Sequence, residues 1–206
     1  MKKLHINIEE IKIKCKPKVL AQVLAQPVID IDSRMQALAT ETEKIKSIMY
    51  KFSGTNQGKQ YNKACNAVTK LSSQLFEASE TLNDVQRQIV LFAKKVCEYE
   101  QVSFTLGSPR KHNVKKIKVS VNTSGIEFHK DEMILVRDKL EEYSRSAKEE
   151  NKKLRSNRDA IGGIWSDRQY KDFSKYIDDV SSEIETGCKE LDEYSAFLTG
   201  QIKDLA

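Results

Sequence analysis

Glycine, proline and cysteine are all scarce in this chain: 8, 3 and 4 of 206 residues. That scarcity excludes collagen-like repeats, a Pro-rich or Gly-rich linker protein and a small disulfide scaffold. Long apolar runs are missing too. The longest stretch without a charge runs over 19–29, eleven residues, where a membrane helix needs about 20. A leader peptide is not expected, because Glu9, Glu10, Lys12 and Lys14 fall where its apolar core would lie. Cys15, Cys65, Cys97 and Cys188 are far apart with no C-x-x-C among them, which argues against a zinc ribbon or a thioredoxin-like site. These absences lead to an expectation of a cytoplasmic, helix-rich protein with no membrane span.

Charge is plentiful, at 32% of residues, and unevenly spread. Residues 1–113 hold 18 Lys and Arg against 11 Asp and Glu, whereas residues 114–206 hold 17 against 19. Such asymmetry suits halves that attract each other, or a surface for an acidic partner. The boundary also marks an internal repeat. Lys2-Lys3-Leu4-His5-Ile6-Asn7-Ile8 aligns with Lys115-Lys116-Ile117-Lys118-Val119-Ser120-Val121 at an offset of 113, both with apolar residues at every second position. Ile48 then maps to Ile161 and Phe52 to Trp165. Period two predicts strands, followed by Ile11–Cys15 in the first copy and, after the turn residues Asn122–Gly125, by Ile126–Phe128 in the second. Val102–Leu106 is a further strand candidate and residues 107–113 read as the connector.

Each lead-in is followed by helical spacing. Ile31, Met35, Leu38, Ile45, Met49 and Phe52 predict a helix beginning after Pro27 with Asp30 or Asp32 as its cap, and Val68 to Val96 a long second helix. In the second copy Val136 to Ile161 form the first arm and Phe173, Ile177, Val180, Ile184, Leu191 and Leu198 the seam of the second. Narrow apolar seams with charged backs suit helices paired along their length. The expected fold is mainly α: two helical hairpins packed as a four-helix bundle, each preceded by short β-strands that form a small sheet. The repeats span 1–113 and 114–206.

The turn of the second copy is written most plainly. Ser166 and Gln169 predict a capping box, with Trp165 and Tyr170 as its hydrophobic staple and Gly162-Gly163 ending the arm before it. The run from Lys116-Ile117-Lys118-Val119 through Ile161-Gly162-Gly163-Ile164-Trp165-Ser166-Asp167 to Phe173 resembles the WXG family of small helical hairpins tied to type VII secretion. The resemblance covers residues 114–206 well and 1–101 loosely. It implies a Trp-x-Gly turn joining two antiparallel helices in a protein that pairs with a like protein into a four-helix bundle. Trp165 and Ser166 match the first two motif positions, Asp167 replaces the glycine, and Phe52-Ser53-Gly54 gives a Phe-x-Gly version in the first copy. The family's Tyr-x-x-x-Asp/Glu export signal is missing, since the seven tyrosines are followed at +4 by Gly54, Cys65, Ser103, Ala147, Ser174, Val180 and Leu198.

Catalytic and cofactor motifs fail on inspection. Gly54-Thr55-Asn56-Gln57-Gly58-Lys59-Gln60 has three residues between its glycines where a phosphate loop has four, and Gln60 where it has Ser or Thr. His5, His112 and His129 lie on or beside the expected strands, and none sits at i, i+4 from another His or Cys. The pairs Glu141-Glu142, Glu149-Glu150 and Asp178-Asp179 lie among lysines on helix backs. Neither an enzyme, a metal nor a cofactor is expected. The expected function is that of a helical adaptor or chaperone whose seam binds a helical partner, a secreted toxin or another WXG-like protein, with homo-oligomerisation or co-export as further outcomes. The alternative beside it is a structural or regulatory coiled-coil module unrelated to secretion. Nucleic-acid binding by Lys2, Lys3, Lys12, Lys14, Lys16, Lys18, Arg110, Lys111, Lys115, Lys116 and Lys118 is a weaker third reading. Nucleic acid is not an expected partner, because no aromatic residues interleave with these cations as stacking on single strands requires.

Overall fold

Four long helices carry the chain: α1 (Gln26–Lys51), α2 (Lys59–Tyr99), α3 (Lys130–Gly162) and α4 (Arg168–Asp204). They come from a computed structural model that describes residues 4–51, 58–103, 105–119 and 130–204. At 41 residues α2 is a rod of about 60 Å. Each helix has an apolar stripe that it cannot cover alone, and the bundle closes by packing α1 on α2 and α3, and α4 on α2 and α3, with no diagonal contact. The two hairpins lie antiparallel. Arg34 meets Glu150 and Thr42 meets Tyr143 between α1 and α3, while Lys63 meets Glu193 and Lys70 meets Glu183 between α2 and α4. Residue numbers rise along one helix as they fall along the other, which puts the two hairpin turns at opposite ends. One hydrophobic cluster runs through both halves, from Leu24, Met35, Leu75 and Ile89 to Leu140, Trp165, Ile184 and Leu198.

The two cross-hairpin seams differ in what lies along them. A Cβ on Gly187 would lie 2.6 Å from Cδ2 of Leu71, so α4 approaches α2 as closely as it does because position 187 has no side chain. Between α1 and α3 the Thr42 and Tyr143 hydroxyls share a hydrogen bond of 2.6 Å, and a groove of about 530 Å³ opens along the seam.

The expected strands and small sheet are not there. Among the described residues the only ladder contact is one isolated antiparallel bridge between Ile13 and Trp165. Leu4–Ile8, Ile11–Cys15, Val102, Ser103, Thr105, Leu106 and Lys115–Val119 belong to no strand. The remaining expected strand residues, Lys2, Lys3, Phe104, Ser120, Val121 and Ile126–Phe128, lie outside the described residues. Period-two spacing marks a chain with alternating sides; it does not say what pairs with the backbone. Here several backbone groups are met by side chains. Arg110 N–H donates to Gln86 Oε1 at 2.8 Å and its C=O accepts from Asn83 Nδ2 at 2.9 Å, while Asn113 N–H reaches Gln36 and Ile117 N–H reaches Glu43 at 2.7 Å.

The start of the first helix also differs from expectation. A 3-10 turn at Pro17–Val19 and a π-helical turn at Ala21–Ala25 lead into α1, which runs through Pro27. Proline lacks the N–H that would bond four residues back and its ring crowds that carbonyl. The wider π turn lies where that strain falls. Neither Asp30 nor Asp32 is therefore a cap: both lie within the helix, Asp32 fully buried.

Candidate functional site

The Trp165 turn is built from both ends of the chain. Trp165 is fully buried and stacks on Phe173, with ring centroids 5.7 Å apart, while Tyr170 tilts against it at 5.9 Å. The cap is Asp167 instead of Ser166: its Oδ1 accepts from Tyr170 N–H at 3.0 Å, three residues into the helix. Asp167 Oδ2 also accepts Lys12 N–H at 2.8 Å, and Ile164 C=O accepts Lys14 N–H at 2.9 Å. Gln169, released from the capping box, instead accepts from Asn7 N–H and donates to Asn7 C=O at 2.9 Å. Gly162 leaves room for Tyr170: a Cβ there would lie 2.7 Å from the ring carbon Cζ, so the tyrosine would have to shift. Tyr170 in turn donates to Arg158 C=O at 3.1 Å. The Trp motif thus serves as a plug that the N-terminal segment straps down. Phe52, Ser53 and Gly54, the corresponding residues of the first copy, lie outside the described residues.

The seam residues Phe173, Ile177, Val180, Ile184, Leu191 and Leu198 are all buried inside the bundle, where α4 packs on α2 and α3. The chain itself fills the seam, so no apolar face is free along it. What remains open is the outer groove between α1 and α3. Leu38, Ile45 and Ile48 from α1 and Tyr143 and Ala147 from α3 line it, with Glu41, Lys44, Lys139 and Glu142 beside them. Those charges pair within their own helix, Lys44 with Glu41 and Lys139 with Glu142, and so do not bridge the groove.

A second constellation was not foreseen: a polar row under residues 107–119. Gln36 and Glu43 on α1, and Ser72, Ser79 and Gln86 on α2, recur at intervals of seven beside the apolar seam, and all are buried. Heptad-spaced polar residues form one stripe on a paired helix, and that spacing was the available signal. Burial pushes the Glu43 carboxyl up, but hydrogen bonds from Lys46, Ser72 and Ile117 N–H outweigh it and hold the group below the ordinary glutamate range. Asp32 shifts the other way: burial raises it, and hydrogen bonds from Gln36 and Asn83 with the nearby Arg110 and His112 only partly offset this.

Ser79, His112 and Asp32 gather here, with Ser79 Oγ 2.8 Å from His112 Nε2. They do not make a nucleophile. Ser79 is fully buried and also donates to Phe76 C=O at 2.7 Å, and no hydrogen bond joins Asp32 to the imidazole, so nothing orients the base. His112 instead packs edge-on against Phe76. Among the described residues no three His, Cys, Asp or Glu side chains converge as a metal site, and all four cysteines are free thiols. Burial pushes Cys188 up to about 11, which leaves it an unreactive thiol. No helix among the described residues is long and apolar enough to cross a membrane. Comparison with protein-family models, with curated proteins and with solved structures finds no match to this chain.

Proposed function

We propose that the chain is a non-enzymatic helical adaptor or chaperone, a self-completed version of the two-hairpin assembly that the WXG resemblance implies, acting on the helical region of a type VII secretion substrate or component. Four antiparallel helices from one chain replace the paired proteins, so the seam on α4 is satisfied internally and the partner must bind outside it. The observation that carries this reading is the groove between α1 and α3. It is lined by Leu38, Ile45, Ile48 and Ala147 with Ala37 beside them, and its rim charges Glu41, Lys44, Lys139 and Glu142 pair within their own helices, while Glu150 reaches across to Arg34. An amphipathic helix laid in such a groove buries its apolar face against both walls.

The test is co-expression with the helical product of an adjacent gene, followed by gel filtration of the pair. A stoichiometric complex that is lost in Ile48→Glu and Ala37→Arg, while both variants remain folded by circular dichroism, is the expected result. A complex indifferent to both substitutions would remove the groove from the reading. If no adjacent product binds at all, the secretion role fails and an unrelated coiled-coil module becomes the better account.

A further inference from the structure

Residues 105–119 contain Arg110, Lys111, Lys115, Lys116 and Lys118 and no acidic residue. Their chain is pinned from beneath by the polar row: Gln86 and Asn83 hold Arg110, Gln36 holds Asn113 and Glu43 holds Ile117. Val114 is buried between these points, and Lys115, Lys116 and Lys118 are exposed. Among the described residues none of the five cations takes part in an ion pair, although Lys and Arg on the helices do so repeatedly. Lys116 lies over the Phe76 ring at 4.4 Å from its centroid, Arg110 faces the buried Asp32, and Lys111 shares a recess with Glu80, Asp84 and Arg87. The least compensated charge therefore rests on Lys115, Lys116 and Lys118.

We propose that this pinned basic ridge binds the phosphodiester backbone of nucleic acid without sequence preference. Three features favour that polyanion over an acidic protein. The ridge follows the helices beneath it, its anchors stepping along α1 from Gln36 at Asn113 to Glu43 at Ile117, seven residues or about 10 Å of helix, and so offers its cations in a row that matches a linear array of charges. It has almost no apolar centre, with Ile117 at 37% exposure the only large apolar side chain it presents, whereas protein interfaces are apolar and charge-depleted at their core. Its backbone is also held by buried side chains before any ligand arrives, which reduces the ordering cost of binding. No aromatic platform accompanies the lysines, so contacts would be to phosphates, and base identity would go unread. This inference concerns a different face from the α1 and α3 groove and does not depend on the adaptor reading.

The test is fluorescence anisotropy of the full chain with a labelled 20-nucleotide mixed-sequence single strand at 20–200 mM salt. Neutralising three to five phosphates predicts a slope of log K against log salt of roughly −2 to −3.5. Replacing Lys115, Lys116 and Lys118 together by Gln should reduce that slope by about 2. The control replacements Lys44→Gln, Lys139→Gln and Lys153→Gln should leave it unchanged, and circular dichroism checks that each variant folds. A slope near zero, or a triple variant that binds like the wild type, overturns the proposal. Tighter binding to poly-glutamate or to phosphatidylserine vesicles at equal salt also overturns it, in favour of an acidic protein or a lipid surface.

Discussion

Two non-helical segments, each carrying a run of alternating apolar residues, precede the two hairpins, and each is held by the hairpin that it does not introduce. Residues 4–16 lead into α1 but dock on the second hairpin's turn, through Ile164, Asp167 and Gln169. Residues 105–119 lead toward α3 but lie on the first hairpin, held by Gln36, Glu43, Asn83 and Gln86. The first rests beside an aromatic plug with Ile6 buried; the second rests on buried polar side chains with Val114 buried. The exchange ties the halves together beyond helix packing: without residues 1–113 the Trp165 turn loses its strap, and without residues 114–206 Glu43 loses the N–H of Ile117 and the first hairpin loses buried Val114. It also shows that a repeat in sequence need not repeat its contacts.

The comparison is broken most forcefully at Trp165. A fully buried Trp cut to Ala loses its transfer free energy and leaves a cavity, so Trp165→Ala should cost about 3–5 kcal/mol in urea unfolding. Hydrogen exchange should then rise over residues 4–16 more than over 105–119. Equal loosening of both segments would mean that their anchors are not separate.

Helix identity, the apolar seams and the burial of Trp165 were legible in the sequence because period and composition carry them. The partners of the extended segments were not. Alternation in Lys115–Val119 fits an edge strand and a strap equally well, and the deciding residues, Gln36, Glu43 and Gln86, are of types usually found in solvent. Asp167 was legible as a deviation from the Trp-x-Gly pattern, but its work as cap and as acceptor for Lys12 depends on a segment 155 residues away in sequence. Pro27 signals a helix start in the sequence, but a π turn hidden from periodicity precedes it and the helix runs through it.

A smaller effect sharpens the contrast between the two glutamine clamps. Gln86 is fully buried, so Gln86→Ala leaves the N–H of Arg110 without that acceptor and should cost about 1–3 kcal/mol. Gln169 is only half-buried, and water can replace it at Asn7, which should hold the cost of Gln169→Ala to about 0.5–1.5 kcal/mol. Chemical denaturation of the two variants gives the ordering directly; the reverse order would make the first strap the more dependent on its clamp.

The carboxylates beneath the second strap respond to pH in opposite senses. Glu43 is held below the ordinary glutamate range in the fold, so it stabilises above that range and the contribution is lost as pH falls through the folded value. Asp32 is raised, so its ionisation opposes the fold and stability is lost as pH rises through its raised value. Glu43→Gln should flatten the acid limb of a stability profile, whereas Asp32→Asn should flatten the loss on the rising side. Unfolding free energies from pH 3 to pH 7 for both variants test the signs.

The smallest expected effect lies at the bend that sends the chain from α2 into its second strap. Gln101 has a φ of 52°, the only positive φ outside glycine among the described residues. Its N–H bonds Glu98 C=O at 3.3 Å, and Val102 N–H bonds Cys97 C=O at 3.0 Å, the paired bonds of a Schellman ending that usually employs glycine. A side chain in this left-handed region costs about 1–2 kcal/mol, and glycine returns part of that as unfolded-state entropy, about 0.5–1 kcal/mol. Gln101 is exposed, so no packing is lost on replacing it. Gln101→Gly should therefore stabilise the protein by roughly 0.5–1 kcal/mol, raising its denaturation midpoint with the slope unchanged. A neutral or destabilised variant would mean that the strap, through its clamps, imposes the bend at no cost to Gln101, and that the helix ending follows the strap instead of directing it.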